Sequence, residues 1–512
     1  MLLAASIERA VHDGAILLLG VGAALALAWG LLNRRLGLLR WPVIAVAILA
    51  LGAGTALGAW AWHEDRSRTV RGSATEEFVE KLRPDPKGPK PSPLNPEPWP
   101  TYGYDLQRTH LAPLAWRIRP PYYGIWKFAA KSDIEFPPSV AYGNIYIPQQ
   151  KGNFYVLKAR SGKRVWVRHL SHCIASSPTI HDGVVYQAFM DSKPCGAHES
   201  NARGFVLAWD ADSGHLLWRF DAGVVESSPL LVGNTLYFGS WDHKLYALAL
   251  QGRKRPRVRW TFEADDQVVA APAYAGGTVF IATSNGSVYG VNARSGRMRW
   301  HATSFSRFGR REYFYATPSV AYGRVFIGNA DGTVYAFGAS TGKLLWARGV
   351  GTYVYTAAAI WRKTVYVGTW DGLFVALDAR TGDIRWRYDA PASITGAPTV
   401  LAGLVYFSTC GRCGVGGLRR VKVGPNRTFG LNARNGSLVW RFHAGKYSPV
   451  VSDGLRLYVV GRDHVYAFIT RVRLRQIKAA QAKAKRERQQ QGGKRPRSRS
   501  AAKPGTSFGT PG

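Results

Sequence analysis

Residues 291–300 read VNARSGRMRW, and the chain spells this phrase five more times. LKARSGKRVW (157–166), WDADSGHLLW (209–218), FGASTGKLLW (337–346), LDARTGDIRW (377–386) and LNARNGSLVW (431–440) share Ala-x-[Ser/Thr/Asn]-Gly-x-x-x-Trp. A catalytic motif needs to occur once, whereas a building unit has to be repeated. The phrase is therefore structural.

A second phrase precedes each Trp motif. PSVAYGNIYI from Pro138, PTIHDGVVYQ from Pro178, PAYAGGTVFI from Pro272, PSVAYGRVFI from Pro318 and PTVLAGLVYF from Pro398 are its copies; Pro229 and Pro449 open looser ones, and Ala358 stands in place of an eighth Pro. The matching tryptophans are Trp126, Trp166, Trp218, Trp260, Trp300, Trp346, Trp386 and Trp440, at spacings of 40, 52, 42, 40, 46, 40 and 54. Within a unit, short strands alternate with Gly- and Asn-bearing turns that need positive φ. A period near 40 with four short strands predicts an all-β propeller, with the Trp row as core between blades. The last unit, SPVVSDGLRLYVVGRDHVYAFIT, lacks a Trp strand, and YYGIWKF around Trp126 is surplus ahead of the first Pro phrase. Closure of the ring by that N-terminal strand gives eight blades and no free sheet edge. It also predicts that the segment before the propeller and the C-terminal tail lie near the same blade.

Residues 14–32 and 41–62 are uncharged runs of 19 and 22 residues, each long enough as a helix to cover a hydrocarbon core of about 30 Å. Trp41, Trp60 and Trp62 stand at interfacial positions, and no cysteine precedes Cys173 to carry a lipid anchor. Residues 1–62 read as a two-helix transmembrane hairpin, uncleaved. Arg34, Arg35 and Arg40 in the intervening loop nearly balance Arg66, Arg68 and Arg71 beyond the second run, and the cysteines and the family resemblance given below favour the loop inside. Both chain ends then lie outside. Residues 63–98, with RPDPKGPKPSPLNPEP, read as an extended Pro-rich stalk, residues 99–470 as the propeller, and residues 471–512 as a basic, mostly disordered tail in which QIKAAQAKAKRERQQQ suits a short helix. That tail carries thirteen Lys/Arg and one acid, within a chain of 68 Lys+Arg and 32 Asp+Glu. Anionic lipid or wall polymer is the partner this charge predicts outside the cytoplasm, with nucleic acid less accessible.

The repeat resembles the pyrroloquinoline-quinone-like propeller family. That family includes the quinoprotein alcohol dehydrogenases and the propeller lipoprotein of the outer-membrane β-barrel assembly machinery. WPTYGYDLQRTHLAP (99–113) is similar to the Trp…Asp…Thr segment that leads into such propellers. The resemblance implies an eight-bladed fold and either of two functions. One is a protein-binding scaffold of the cell envelope engaged in protein assembly. The other is a dehydrogenase that stacks its quinone on a tryptophan and an adjacent-cysteine disulfide and binds Ca²⁺ through Glu, Asn and Asp. A third possibility is an extracellular ligand sensor.

This chain has no adjacent cysteine pair. The channel-facing position, three residues before each repeat Pro, is filled by Glu135, Ala175, Glu226, Val269, Tyr315, Tyr355, Thr395 and Lys446. Two glutamates on separate blades do not make a calcium cage, which takes several converging oxygens. Asp265 and Asp266 stand nearby. No cofactor or metal is expected; quinone and calcium enter only under the enzyme alternative.

Cys173 and Cys195, and Cys410 and Cys413, fall in loops of two blades and read as loop-stapling disulfides of an extracytoplasmic compartment. Phe305, Arg307, Phe308, Arg310, Arg311, Tyr313 and Phe314, in SFSRFGRREYFY, interleave aromatic and basic groups as protein interfaces do. The expectation is a membrane-anchored scaffold whose partner-binding face carries that loop.

Overall fold

Each of the eight repeat phrases opens an inner strand one residue after its Pro or Ala, and each such strand begins a four-stranded antiparallel blade. The structure is a computed structural model and describes residues 22–29, 31, 37, 40–67, 69–72, 78, 95–113, 116–190, 203–307, 310–413, 421–447 and 449–492. Blade 1 runs from Ser139–Ala141 to Arg164–His169, blade 2 from Thr179–His181 to Leu216–Gly223, and blade 3 from Leu230–Val232 to Lys254–Glu263. Blades 4, 5 and 6 begin at Ala273–Ala275, Ser319–Ala321 and Ala359–Trp361, and blade 7 at Thr399–Leu401. Blade 8 takes three strands from Val450–Ser452, Leu457–Val460 and His464–Thr470. Its fourth is Tyr122–Ala129, paired from Tyr122↔Thr470 to Ala129↔His464. The ring closes as expected.

The motif works between blades. In six of the eight contacts the Trp indole Nε1 donates to the backbone carbonyl of the motif Ala in the next blade: Trp126 to Ala159, Trp166 to Ala211, Trp260 to Ala293, Trp300 to Ala339, Trp346 to Ala379 and Trp386 to Ala433, at 3.0–3.3 Å. The motif Gly supplies the floor for the ring. A Cβ added to Gly162, Gly214, Gly296, Gly342, Gly382 or Gly436 lies 2.5–2.8 Å from that same Trp, and all six have φ between +68° and +79°. Blade 3 replaces the motif by Gln251-Gly252-Arg253, and Trp218, which faces it, has no partner for its Nε1. Trp440 meets blade 8, where Tyr122 takes the place of the motif with its ring edge-on at 5.3 Å.

The lead-in segment 99–113 circles one end of the channel. Backbone amides of the inner strands donate to it in turn: Val140 to Trp99, Ile180 to Pro100, Tyr274 to Leu106, Val320 to Gln107, Ile360 to Thr109 and Val400 to His110. At its centre Arg108 is fully buried; Nε donates to the Pro272 carbonyl at 3.0 Å, Nη2 to Pro229 at 3.1 Å and Nη1 to Thr101 Oγ1 at 2.8 Å and to the Tyr102 carbonyl. Asp105 caps the turn by accepting from the Thr109 amide and hydroxyl.

Two expectations change outside the propeller. Residues 63–98 do not all form a stalk: helix α1 (Arg40–Ser67) reaches Ser67, Thr69–Arg71 adds a fifth strand to blade 5 against Arg348, Ala347 and Trp346, and Phe78 stacks on Tyr322 at 5.0 Å. An extended segment of open backbone donors satisfies them on the nearest sheet edge. This start of the linker therefore lies on blade 5, not beside blade 8, from which the tail leaves. The tail opens as helix α2 (Arg471–Gly492), which contains the short helix expected over QIKAAQAKAKRERQQQ and starts five residues before it, because its Ala, Lys, Arg, Gln and Glu are strong helix formers; residues 493–512 lie outside the described residues. Of the hairpin, helical residues 22–29 and 31 cover part of the first apolar run, and α1 covers the second. Among the described residues no helix is long and apolar enough to cross a membrane, so the two-span expectation is not met there.

Gly342→Ala should lose stability through both the positive φ and the clash with Trp300, whereas Gly143→Ala, at φ +69° with no heavy atom within 4 Å, meets only the first. Chemical denaturation should place Gly342→Ala about 1–3 kcal/mol below Gly143→Ala; equal losses would show that the indole does not rest on the glycine.

Candidate functional site

The plug makes the channel blind at one end, and a cavity remains at the other. The connections from the second to the third strand, and from each blade to the next, emerge at this open mouth; the motif turns lie at the opposite face. The cavity, counted together with the open solvent at its mouth, spans about 550 Å³ of non-atom space. Tyr102 of the lead-in segment forms its floor, with small side chains such as Ala271, Ala357 and Ala397 around it. Of the eight predicted channel positions, Glu135, Glu226, Val269, Tyr315, Tyr355 and Thr395 line the wall. Ala175 does not, and Lys446 gives way to its neighbour Tyr447. The loose Pro449 copy misplaces that register by one residue, which the sequence spacing alone could not reveal.

Two carboxyls face each other across mostly apolar walls. Burial pushes the Glu135 carboxyl up to about 7, with Lys446 opposing and Asp133 adding to the shift. Gln150 Nε2 donates a long hydrogen bond to it at 3.4 Å. Glu226, 6% exposed, is raised well above the ordinary carboxylate range, first by burial and then by the charge of Glu135. Tyr355 is raised by burial and then by both glutamates. The groups from blades 1, 3 and 6 thus converge closely enough to sense each other's charge. Lys446 turns away to pair with Asp133, which also takes Arg462 Nε at 3.1 Å, and its ammonium lies 4.5 Å from the Tyr447 ring centre.

One wall is aromatic. Tyr315 and Tyr355 stack with centroids 4.2 Å apart, and Tyr355 continues to Tyr353 at 5.5 Å and Trp370 at 5.9 Å. Asp265 is not part of the site: its carboxylate accepts from Thr283, Asn285 and Ser287 at 2.5–3.2 Å, and these bonds outweigh burial to hold it below its ordinary value.

The cysteines flank the mouth. Cys410 and Cys413 form a disulfide with Cα atoms 5.5 Å apart, and Cys413 Sγ lies 4.0 Å from the Thr395 hydroxyl on the cavity wall. Cys173 is disulfide-bonded and packs in a small cluster with Ala175, Met190 and Val224, against Phe136 of the cavity lining; Cys195 lies outside the described residues. In the aromatic–basic loop, Phe314 is buried and, like Phe305, packs on Tyr335, while Tyr313 packs on Tyr353. These three rings serve the protein's own packing, which leaves Arg311 exposed. Phe308 and the side chains of Arg307 and Arg310 lie outside the described residues.

A family model described as outer membrane protein assembly factor BamB matches residues 123–255, 197–360 and 330–508. The chain belongs to that BamB family. It is 24% identical over 189 residues to BamB of Moranella endobia, covering 34% of this chain and 43% of the relative. It is 30% identical over 190 residues to quinohemoprotein alcohol dehydrogenase ADH IIB of Pseudomonas putida, covering 31% and 25%. The chain thus spans less than half the length of these curated relatives. The solved BamB of Moraxella catarrhalis superposes with a TM-score of 0.54 at 15% identity, over 68% of this chain and 99% of that one. A europium-containing methanol dehydrogenase gives 0.58 at 11%, over 74% and 99%. These two likenesses show the fold alone.

The BamB-family wall does not fit a calcium-bound quinone. Pyrroloquinoline quinone is a polycarboxylate, and the cavity lining holds no Lys, Arg or His to meet it, only two more acids. Among the described residues no group of three or more His, Cys, Asp or Glu side chains could hold a metal ion.

A carboxyl raised from 4.5 in the unfolded chain to about 7 in the fold costs stability progressively as pH rises between those values, and the cost stays constant above. Glu135→Gln should therefore match the parent near pH 4 and exceed it by about 1–3 kcal/mol at pH 8. Urea midpoints across that range measure it; a variant equally or less stable at pH 8 would mean that Glu135 is not held in a desolvated site.

Proposed function

We propose that this chain is a membrane-tethered, extracytoplasmic propeller scaffold that holds protein partners in the cell envelope during protein assembly. The observation that carries this reading is membership of the BamB family together with a channel whose wall suits no resident quinone. The plug and the Trp docking make the propeller a rigid body with loops gathered at one face, as a scaffold requires. Arg311 and the two cysteine-bearing loops belong to that face.

The tether is supported by the apolar runs 14–32 and 41–62 and by what they expose. Leu25, Trp29, Trp41, Val46, Ile48 and Leu49 are each 54–72% exposed, a burden that water penalises and lipid does not. Gly22, Ala23 and Ala26 on one helical segment and Ala47 and Ala50 on the other line a shared groove, and small residues of this kind let helices approach closely in lipid. Disulfide-bonded cysteines support an oxidising compartment. Helix α2, with eight Lys/Arg and one Glu in 22 residues, suits an anionic lipid or wall-polymer surface.

In cells producing the full chain, alkylation of the denatured protein should modify no thiol before reduction and all four after it. The propeller should also be cut by protease added to spheroplasts, and the membrane pellet should retain the chain after carbonate washing. A photocrosslinker at Arg311 should capture envelope proteins, while one at Arg294, on the opposite face, should not. Free thiols, protection by the intact membrane, or equal capture from both positions would overturn the reading.

A further inference from the structure

The cavity at the channel mouth has a ligand chemistry of its own, and this does not depend on the scaffold reading. Four features coincide there. Glu135 and Glu226 converge from blades 1 and 3. Tyr315 and Tyr355 present stacked rings beside them, with Tyr447 completing the rim. Val269, Ala270 and Ala357 add apolar surface to the same wall. Finally, Thr356 lines the same cavity at 3% exposure, and its hydroxyl has no hydrogen-bond partner. A buried hydroxyl left unpaired costs free energy unless something entering the cavity meets it.

We propose that this cavity binds an organic ammonium group, with Glu135 and Glu226 as its counter-charges, the tyrosine faces as its cation–π wall and the Thr356 hydroxyl as its hydrogen-bond acceptor. Each alternative class fits worse. An anion would meet two carboxyls and no cation in the lining. A hard metal ion wants six to eight oxygens in a close shell, and half of this wall is hydrocarbon. An ammonium on an alkyl stem uses all three surfaces: acid for charge, ring face for cation, and Ala and Val for the stem. Both a free amine and a lysyl side chain from a partner carry this group.

Protons compete with such a ligand. The groups facing Glu135 are Glu226 from blade 3, Tyr355 from blade 6, Lys446 and Tyr447 ahead of blade 8, and Asp133 of its own loop. Lys446 pairs with Asp133; its charge opposes the rise of Glu135 without outweighing burial. In an empty cavity burial favours the protonated form of both carboxyls, and an entering ammonium displaces a proton. Affinity should then rise with pH through about 7, the range in which Glu135 ionises.

The test is calorimetric titration of the detergent-solubilised full chain with n-butylammonium, with acetyl-Ala-Lys-Ala-amide, and with butyrate as an anion of similar size, at pH 6 and pH 8. The expected result is binding of at least one ammonium probe, tighter at pH 8, and none of butyrate. Tighter binding of the peptide assigns the group to a partner's lysine, and tighter binding of butylammonium assigns it to a free amine. Glu226→Gln and Glu135→Gln should each weaken binding about thirtyfold or more. Thr356→Val should weaken it less. Asp389→Asn, which removes a carboxylate on the exposed face paired with Lys422, should leave it unchanged. Gln replaces Glu without a change of shape, and near-ultraviolet circular dichroism of the Tyr/Trp wall reports whether each variant keeps the cavity. No ammonium binding, butyrate binding, or equal loss in Asp389→Asn would overturn the proposal.

Discussion

The contact that the ring depends on is an indole laid across a glycine of the next blade. It explains why the motif has its particular letters. Gly gives the positive φ of the turn and the bare Cα on which the ring rests, while Ala exposes a carbonyl to the indole N–H and keeps the approach short. A larger residue at either place would lift the ring and open the seam between blades. The Trp and its receptor lie in different units, so neither is useful without the other, and the repeat is selected as a chain of handshakes. This is the nearest-neighbour logic of repeat architectures, closed into a circle. Where the receptor is missing, at blade 3, the Trp218 N–H goes unpaired, and the seam relies on apolar packing with Leu236 and Leu248.

Closure alone would leave an open tube. The segment 99–113 turns it into a cup, and Arg108 is the reason it stays. A buried guanidinium is costly unless its donors are met, and here the acceptors come from two blades and from the segment's own turn. Burial lowers the group only to about 10, so it remains a cation at neutral pH. Nearby, burial and the Arg108 charge hold His110 down at about 3, which keeps a second cation out of the hub. The plug therefore fixes the depth of the cavity and places Tyr102 at its floor.

How far the sequence reached can be judged residue by residue. The repeat made the blade count, the strand order and the closing strand legible, because each rests on local signals: a Pro before the inner strand, a Gly in each turn, a Trp at each end. The offset of three residues before Pro found six of the cavity-lining positions for the same reason. Tyr102, Phe136 and Thr356 were not legible, since their place depends on how the lead-in segment folds back and how neighbouring blades crowd the axis. The pairing of Thr69–Arg71 with blade 5 was hidden because an edge strand of three residues has no pattern of its own. The aromatic–basic loop shows the opposite failure. Its composition resembles an interface, yet Phe314 and Phe305 spend their rings on Tyr335.

Charge separates the two surfaces that remain. The chain carries a formal +36, and helix α2 concentrates part of it on a rod rich in Lys and Arg, away from the mouth. The cavity wall, in contrast, holds two acids and no base. At physiological salt the field of the basic surface fades within about 8 Å, while charges inside the cup are screened far less by solvent. A polyanion is thus drawn to the outside, and a cation is welcomed only once it has entered the cup. On the two proposals made above, a propeller built this way would sort partners by depth: an anionic surface would meet the tail, and only a slender cationic group that sheds its water against tyrosine rings would gain the counter-charges of Glu135 and Glu226.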